Sequence, residues 1–331
     1  MILVFILNHI ESEEYQLMDY YAHVKWFTDI IAEKQPLAAI LSPFFMKLAM
    51  IITVLLAALT KFLPELSSSN LSTKVDRQLV KLRRYSLPIL KYGTAAALLI
   101  QAASGTRFAL EFKLTDGWQT ILMWAAIILL LIPRHYATKI GALVLLVLFI
   151  ETGIEAGIFH MLDYGFYLAI IGALLLERTK QSEWGFPLLY LGTGLSLCWV
   201  AVEKWIYPTM AEDIIMKHHV PTFGFDTSLF IVMAGFIEFV VGYLLVIGIL
   251  NRMLSVVLTF IFISATMLFG MKELIGHFMI HIVLLLFIIE GACIYKKPLS
   301  VYRTTFTQMV FVPLNFIFVL ATYLLLYYRF A

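Results

Sequence analysis

The chain has 331 residues, of which 61% are hydrophobic and 14% are charged, and its mean hydropathy is +0.90. This composition excludes a soluble globular domain and predicts a polytopic protein embedded in the lipid bilayer. The net charge of +2 does not indicate nucleic acid as a partner. Two cysteines, Cys198 and Cys293, form neither a CxxC motif nor a disulfide framework.

The first 36 residues are predicted to lie at the membrane surface. The opening run MILVFIL has no basic residue before it, so it lacks the pattern of a cleaved signal peptide and we expect it to be retained. Between Met18 and Ala32, apolar residues recur at helical spacing with Trp26 beside them, which favours an interfacial helix. A poorly ordered tail is the alternative.

Ten hydrophobic segments follow, and they predict an all-α fold of about ten transmembrane spans. Their approximate limits are 37–64, 86–110, 117–133, 140–160, 163–177, 186–208, 227–250, 252–271, 274–294 and 308–328. The third and fifth segments are short for a full crossing, so each is either tilted differently, re-entrant or continuous with a neighbour.

The distribution of Lys and Arg predicts the orientation, because basic residues near membrane ends are retained in the cytoplasm. Thirteen of them lie in one set of alternate loops: Lys74, Arg77, Lys81, Arg83, Arg84, Arg134, Lys139, Arg178, Lys180, Arg252, Lys296, Lys297 and Arg303. The opposite loops contain only Lys113, Lys217, Lys272 and Arg329, and the amino-terminal tail adds Lys25 and Lys34. We therefore expect a bacterial inner-membrane protein with both termini outside.

Segments two and six resemble each other. LPILKYGTAAALLIQAAS from Leu87 aligns with FPLLYLGTGLSLCWVAVE from Phe186 at a constant offset of 99 residues. Because four crossings separate the copies, this pattern predicts two parallel four-helix units, 86–177 and 186–294. Chance similarity between apolar helices is the alternative. The first copy has Ser104 and Gly105 where the second has Glu203 and Lys204.

The second unit resembles the DoxX family of four-helix membrane proteins. The similarity lies in GLSLCWVAVEKWIYP at 194–208, in GFIEFVVGYLLVIGILNRMLSVVLTF at 235–260 and in the His-containing helix from His277 to Gly291. The first unit matches only through the repeat. The helices at 37–64 and 308–331 are additions to the family pattern.

The resemblance implies a membrane component of a redox system, because the family includes a subunit of an archaeal thiosulfate:quinone oxidoreductase and partners of redox or sulfur enzymes. It supplies no established catalytic motif, so fold analogy leaves the function open. We expect a quinone-linked or sulfur- or metal-linked role with a partner protein. The alternative is a non-catalytic scaffold or carrier for a partner protein, small solute or metal.

Charged residues inside a membrane span are costly, so those of the second unit predict a site. Glu203 and Lys204 end segment six, Glu238 lies halfway along segment seven, and Glu273, His277 and His281 share one face of segment nine. We expect one polar pocket in the outer half of this unit. His277 and His281 would bind the cofactor, Glu238 and Glu273 would manage protons, and Lys204 would stabilise negative charge.

A quinone needs an apolar slot, one or two hydrogen-bond donors and a titratable group. Trp199, Trp205, Phe236, Phe239 and Phe278 are candidate walls for such a slot. A metal ion or haem is the second cofactor hypothesis, with His218, His219, His277 and His281 as candidate ligands. The chain contains no HExxH or ExxH signature, and ordinary packing accounts for aromatic residues at this spacing equally well.

The first unit contains its own charged residues. Arg107 is predicted to pair with Glu151 and Glu155, which are one turn apart, because two carboxylates on one face of a helix repel each other unless a cation lies between them. His160 and Asp163 are expected to be solvated at the end of their helix.

Overall fold

Long runs of Leu, Ile, Val, Phe and Ala form helices in a bilayer because every backbone polar group must be satisfied within the chain. The computed structural model describes residues 26–28, 30–67, 70–291 and 304–331. Its helices are α1 (Leu37–Ile40), α2 (Pro43–Ser67), α3 (Asn70–Leu79), α4 (Ser86–Ala103), α5 (Gly117–Leu131), α6 (His135–Ala156), α7 (Ile158–Met161), α8 (Gly165–Leu176), α9 (Gly185–Ile206), α10 (Pro208–Lys217), α11 (Thr227–Ile247), α12 (Asn251–Phe269), α13 (Met271–Glu290) and α14 (Thr305–Phe330).

The all-α prediction is confirmed apart from one short hairpin, and each of the ten predicted segments contains one long or apolar helix. Within the described residues, seven helices are long and apolar enough to cross a bilayer: α2, α6, α9, α11, α12, α13 and α14. The apolar helices α5 and α8 are shorter, as the lengths of the third and fifth segments indicated. The chain is thus a helical membrane protein, and the count of ten spans stays a prediction.

The second segment is not one continuous helix. Helix α4 ends at Ala103, and the antiparallel strands β1 (Thr106–Arg107) and β2 (Ala109–Lys113) follow it. Gly105 has a φ of 70°, which permits the sharp exit from the helix. Phe108 at the hairpin tip is fully buried, and its carbonyl accepts a hydrogen bond of 2.9 Å from the Tyr167 hydroxyl. The hairpin tip therefore belongs to the hydrophobic core of the helical bundle.

Eight helices pack in the order of the chain. Each of α4, α5, α6, α8, α9, α11, α12 and α13 packs against the next, and α13 packs back against α4. Helices α2 and α14 pack against each other outside this ring, where α14 contacts α9 and α2 contacts α11. Helix α9, the first helix of the predicted second unit, therefore packs against helices of both predicted units. The parallel repeat itself stays a prediction.

Glycine lets α9 and α11 approach closely. A Cβ atom added at Gly194 would lie 2.6 Å from the Gly242 carbonyl oxygen, and one added at Gly242 would lie 2.6 Å from the Gly194 oxygen. Small residues at facing positions are the usual means by which membrane helices gain packing contacts. This contact fixes α9 against α11 and so sets the spacing of the side chains that both helices project.

The carboxyl end of α13 is held by charged groups. Arg252 Nε donates to the Ile288 carbonyl at 2.7 Å, and the Asp76 carboxylate accepts hydrogen bonds from Arg83 at 2.7 Å and from Arg252 at 3.0 Å. The last carbonyls of a helix have no partner within it. Arg252 supplies a hydrogen-bond donor for one of these carbonyls, and it also links α13 to α3 through Asp76.

Candidate functional site

A cavity of about 410 Å³ lies among α9, α10, α11, α12 and α13. It is at the end of the bundle where α9 ends and α13 begins, which we call the site end. Its wall is mainly apolar. The ionisable or hydroxyl-bearing side chains on it are Asp163, Tyr164, Thr193, Ser196, Lys204, Glu238, Glu273 and His277. Four of the predicted site residues therefore share one cavity: Lys204, Glu238, Glu273 and His277.

Lys204 and Glu238 form an ion pair across the α9–α11 interface. The Lys204 Nζ atom donates to Glu238 Oε2 at 2.7 Å, and the two side chains are 16% and 32% exposed. Asp163 and Glu203 lie close enough to Lys204 to interact with its charge. Glu203 itself is only 1% exposed and is not on the cavity wall. The neighbours Glu203 and Lys204 therefore have different environments.

Glu273 and His277 form the second polar pair on the wall. Both belong to the first two turns of α13, and Glu273 Oε1 lies 3.0 Å from His277 Nδ1. The His277 ring lies between the rings of Trp26 and Phe262, at centroid distances of 5.2 and 5.1 Å. This packing fixes the imidazole at the edge of the cavity.

His281 does not share this position. Its ring contacts Phe262 at 5.8 Å, and it is not among the residues that line the cavity. One turn of helix moves the side chain both deeper and to the side of the cavity wall. The predicted common face of α13 therefore brings Glu273 and His277 together and places His281 apart from them.

The structure also places Trp199 away from the cavity. Its ring packs against Phe159, Tyr323 and Tyr327, with centroid distances of 5.1, 5.9 and 4.8 Å. Trp199 therefore faces α14, on a different side of α9 from Lys204. Trp205 packs against Phe45 and Phe236, so the predicted aromatic walls serve as packing between helices. The cavity wall has Phe166, Phe230 and Phe262 instead.

The candidate metal ligands do not converge. His218 Nε2 lies 3.4 Å from the Phe27 carbonyl oxygen, and His219 is exposed in the loop after α10. Within the part of the chain that the structure describes, no three His, Cys, Asp or Glu side chains are arranged to hold a metal ion. The position of Cys293 lies outside the described residues.

A short segment, Trp26–Thr28, covers the cavity at the site end and is called the strap. Trp26 and Phe27 line the cavity, and Trp26 contacts Gly276 so closely that a Cβ atom there would overlap its ring. Among the described residues of the predicted interfacial helix, Trp26 has 3₁₀ conformation and is buried in the bundle, whereas residues 27, 28 and 30–32 are not helical. Residues 1–25, on which the rest of that prediction falls, lie outside the described residues.

Hydrogen bonds hold the strap in place. The Thr28 hydroxyl donates to Asp213 Oδ2 at 2.5 Å, and Lys272 Nζ donates to the Trp26 carbonyl at 3.3 Å. The hydrogen bond from Thr28, followed by that from Lys217, lowers the pKa of the Asp213 carboxyl in the surface helix α10. The strap is thus held at its first residue, Trp26, and at its last residue, Thr28.

The cavity also opens sideways between α11 and α12. Ile237 on α11 and Ile261 on α12 line it, yet these side chains are 56% and 47% exposed on the outside of the bundle. The two helices are joined by the short turn 248–250 at the other end of the bundle. A gap between exposed apolar residues on membrane helices leads to lipid.

The start of α8 brings polar residues of the predicted first unit to the cavity. Ser196 on α9 accepts a hydrogen bond of 3.0 Å from the Phe166 backbone N–H and donates to the Leu162 carbonyl at 3.3 Å. Asp163 and Tyr164, which lie between these contacts, are thereby placed on the cavity wall.

The prediction that His160 and Asp163 are solvated is wrong. They are only 6% and 5% exposed. His160 Nε2 lies 2.9 Å from Glu111 Oε1, and the Tyr164 hydroxyl donates to the same oxygen at 2.6 Å. The hairpin supplies Glu111 and closes over this turn. Because the hairpin was not predicted, this group of residues was missed.

The predicted pairing of Arg107 is confirmed. Its Nη1 atom donates to Glu151 Oε2 at 2.8 Å, and its Nη2 atom donates to Glu155. Gln119 donates to Glu151 Oε1 at 2.6 Å. Arg107 comes from strand β1 and not from a helix, yet it bridges both carboxylates as charge balance requires. This cluster is a structural contact between the hairpin, α5 and α6.

No protein-family model, curated protein or solved structure matches the chain.

Proposed function

We propose that the chain is a DoxX-like integral membrane component of a redox system and that its cavity binds the head group of a quinone. One observation carries this proposal: a mainly apolar cavity of about 410 Å³ holds two polar pairs and opens between α11 and α12. This volume is in the range of small-molecule sites, about 300–1,000 Å³. The lateral opening gives access to a ligand dissolved in the bilayer.

The polar pairs have the chemistry that a quinone head group requires. Its two carbonyl oxygens accept hydrogen bonds, and Lys204 and His277 are the ionisable nitrogen donors on the cavity wall. Each donor has a carboxylate partner, Glu238 or Glu273. A carboxylate beside a cation is able to receive and release protons as the charge of the bound ring changes. Electrons would come from a partner enzyme subunit.

The fine topology belongs to the same proposal. We assign to the chain ten spans and two parallel four-helix units in a bacterial inner membrane. The distribution of Lys and Arg places both termini outside in this proposal. Single cysteines at Ser182 and Thr222, in a background without Cys198 and Cys293, test the orientation. Labelling of Thr222→Cys alone by an impermeant reagent on intact cells supports it, and labelling of both from one side refutes it.

The binding test compares two double variants. K204M/E238L removes both charges of the cavity pair, so that no unpaired charge is left behind. K180M/E183L removes an acid and a base that are exposed at the other end of the bundle. Binding of a short-chain quinone analogue, followed by quenching of tryptophan fluorescence, should weaken at least about tenfold in the first variant only, the loss expected for one hydrogen bond to a charged group.

Equal binding by both double variants and the wild type would place the quinone elsewhere and remove the basis of the proposal. W26F identifies the reporter, because Trp26 lies on the cavity wall. Mass spectrometry of lipids that co-purify with the wild-type protein gives an independent answer. A quinone retained by K180M/E183L and lost from K204M/E238L supports the assignment.

The second candidate function is a non-catalytic carrier of an amphipathic solute. Two features favour it: the gap between α11 and α12 on one side, and the site end, which the short strap Trp26–Thr28 closes. Displacement of the strap would let a molecule pass between the bilayer and the outer surface. Release of a bound quinone analogue to external acceptor vesicles without any partner enzyme would favour the carrier.

A further inference from the structure

A chain of buried ionisable groups leads away from the cavity through the first unit. Asp163 lines the cavity, His160 is 6% exposed, and the Glu111 side chain on the hairpin is 11% exposed. Ionisable side chains at such burial are rare unless they are paired. The cavity wall and the edge of the hairpin are thus connected by three titratable residues.

The contacts within this chain are continuous. His160 Nδ1 lies 3.5 Å from Asp163 Oδ2, and His160 Nε2 lies 2.9 Å from Glu111 Oε1. Each ring nitrogen therefore faces a different carboxylate. Imidazole is the side chain that accepts a proton at one nitrogen and donates from the other near neutral pH.

We propose that Asp163, His160 and Glu111 form a proton relay between the cavity and the outer surface at the hairpin. A proton on the Asp163 carboxyl moves to His160 Nδ1, the proton on Nε2 moves to the Glu111 carboxylate, and Glu111 releases it to water. One proton moves outward and no electron moves. The reverse sequence brings a proton in. The role of the relay in serving a bound quinone rests on the proposed function.

The groups around the relay suit this role. The Tyr164 hydroxyl donates to Glu111 at 2.6 Å, and the Phe112 ring packs against His160 at 5.7 Å. Lys204, whose charge interacts with Asp163, also pairs with Glu238. The inner end of the relay is therefore beside the polar pair that we assign to the head group. The His160 imidazole and the Asp163 carboxylate give protons a path out of the cavity. The rest of the cavity wall is mainly apolar and offers no such path.

The variant E111Q tests the relay. Gln keeps the size of the side chain and still accepts a hydrogen bond from Tyr164, but it does not take up a proton near neutral pH. E111D retains the carboxyl group and is the conservative control. Infrared spectroscopy of the protein in a lipid film measures the rate at which the Asp163 carboxyl exchanges hydrogen for deuterium at about pD 4, near the ordinary carboxyl pKa. The band absent from D163N identifies this group.

We expect exchange at Asp163 to be at least about tenfold slower in E111Q and close to wild type in E111D. Binding of the short-chain quinone analogue, measured in parallel, should be unchanged in E111Q. Wild-type exchange in E111Q overturns the relay whether or not the quinone binds. Slow exchange in E111Q together with no quinone binding by the wild type supports the relay and refutes the quinone assignment.

If E111Q lowers the melting temperature, H160Q gives the second measurement, because it interrupts the same path at another residue. H135Q is its matched control, since His135 lies at the start of α6 and outside the relay. Slow exchange in H160Q but not in H135Q supports the relay. Equal exchange in these two variants overturns it.

Discussion

The replacement of His277 by Phe separates the role of this imidazole from that of its neighbour His281. Phe keeps an aromatic ring between Trp26 and Phe262, where the His277 ring now packs. It removes both ring nitrogens and hence the hydrogen-bond donor on the cavity wall. The variant H281F makes the same chemical change one turn further along α13, at a residue that does not line the cavity.

The expected loss follows from the hydrogen bond alone. A hydrogen bond to a charged group contributes about 1.5–3 kcal/mol. An imidazole that carries both ring protons, one on Nδ1 at 3.0 Å from Glu273 and one on Nε2 directed at the ligand, would make a bond of that class. We therefore expect the dissociation constant of a short-chain quinone analogue to rise about 10- to 150-fold in H277F. In H281F it should change by less than about twofold, because His281 does not line the cavity and makes no contact with the ligand placed there.

Fluorescence quenching of the purified variants measures both constants, and the melting temperature without ligand shows whether either variant is damaged. Equal effects of H277F and H281F would mean that the ligand contacts the whole face of α13. A loss confined to H281F would refute the placement of the ligand in this cavity.

Three further predictions concern the strap and the hairpin. R107M should destabilise the fold by about 3 kcal/mol because two carboxylates lose their cation, and adding E151Q should recover part of the melting temperature. G276A should displace Trp26 and shift its fluorescence to longer wavelength, with an unchanged spectrum contradicting the packing. The pKa of Asp213 is lowered in the folded protein from its ordinary value of 3.8. The contribution of this carboxylate to holding the strap is therefore fully present above pH 3.8 and is lost as the pH falls through the folded pKa. The fluorescence of Trp26 should change in that pH range in the wild type and not in D213N.

The helices were predictable because a bilayer imposes a simple rule on sequence. Apolar runs must become helices, and within the described residues α2, α6, α9, α11, α12, α13 and α14 have the length that a crossing requires. The pairing of Arg107 was predictable for the same kind of reason, since two glutamates one turn apart need a cation. Both inferences use only local spacing and charge.

The hairpin was not predictable from these rules. Its strands have two and five residues, and the alternation in TRFALEFK is too short to distinguish from the apolar segment before it. Gly105, at which the chain leaves α4, was the available signal, because a glycine after an apolar helix is a frequent stop. Without the hairpin the sequence gives no partner such as Glu111 for His160, and it therefore predicts a solvated His160 at the end of its helix.

The side-chain directions of Trp199 and His281 depend on tertiary packing, which spacing alone does not determine. Trp199 is five residues before Lys204 and therefore lies on a different side of α9, against α14. The extra helix at the carboxyl end covers that side. His281 shares an approximate face with His277, but a drift of about 40° per four residues is enough to move it off a narrow cavity wall.

The cavity lies where the two predicted units meet, and this explains why neither unit alone accounts for its polar residues. Helix α9 supplies Lys204, α11 supplies Glu238, and the turn before α8 supplies Asp163. Ser196 on α9 fixes that turn through two hydrogen bonds, so the first unit is attached to the same helix that bears the cation. A ligand bound between Lys204 and His277 would therefore contact the second unit directly and exchange protons through the first. This division between ligand contact and proton exchange requires one result in E111Q. Hydrogen exchange at Asp163 must become slower while the quinone affinity stays constant.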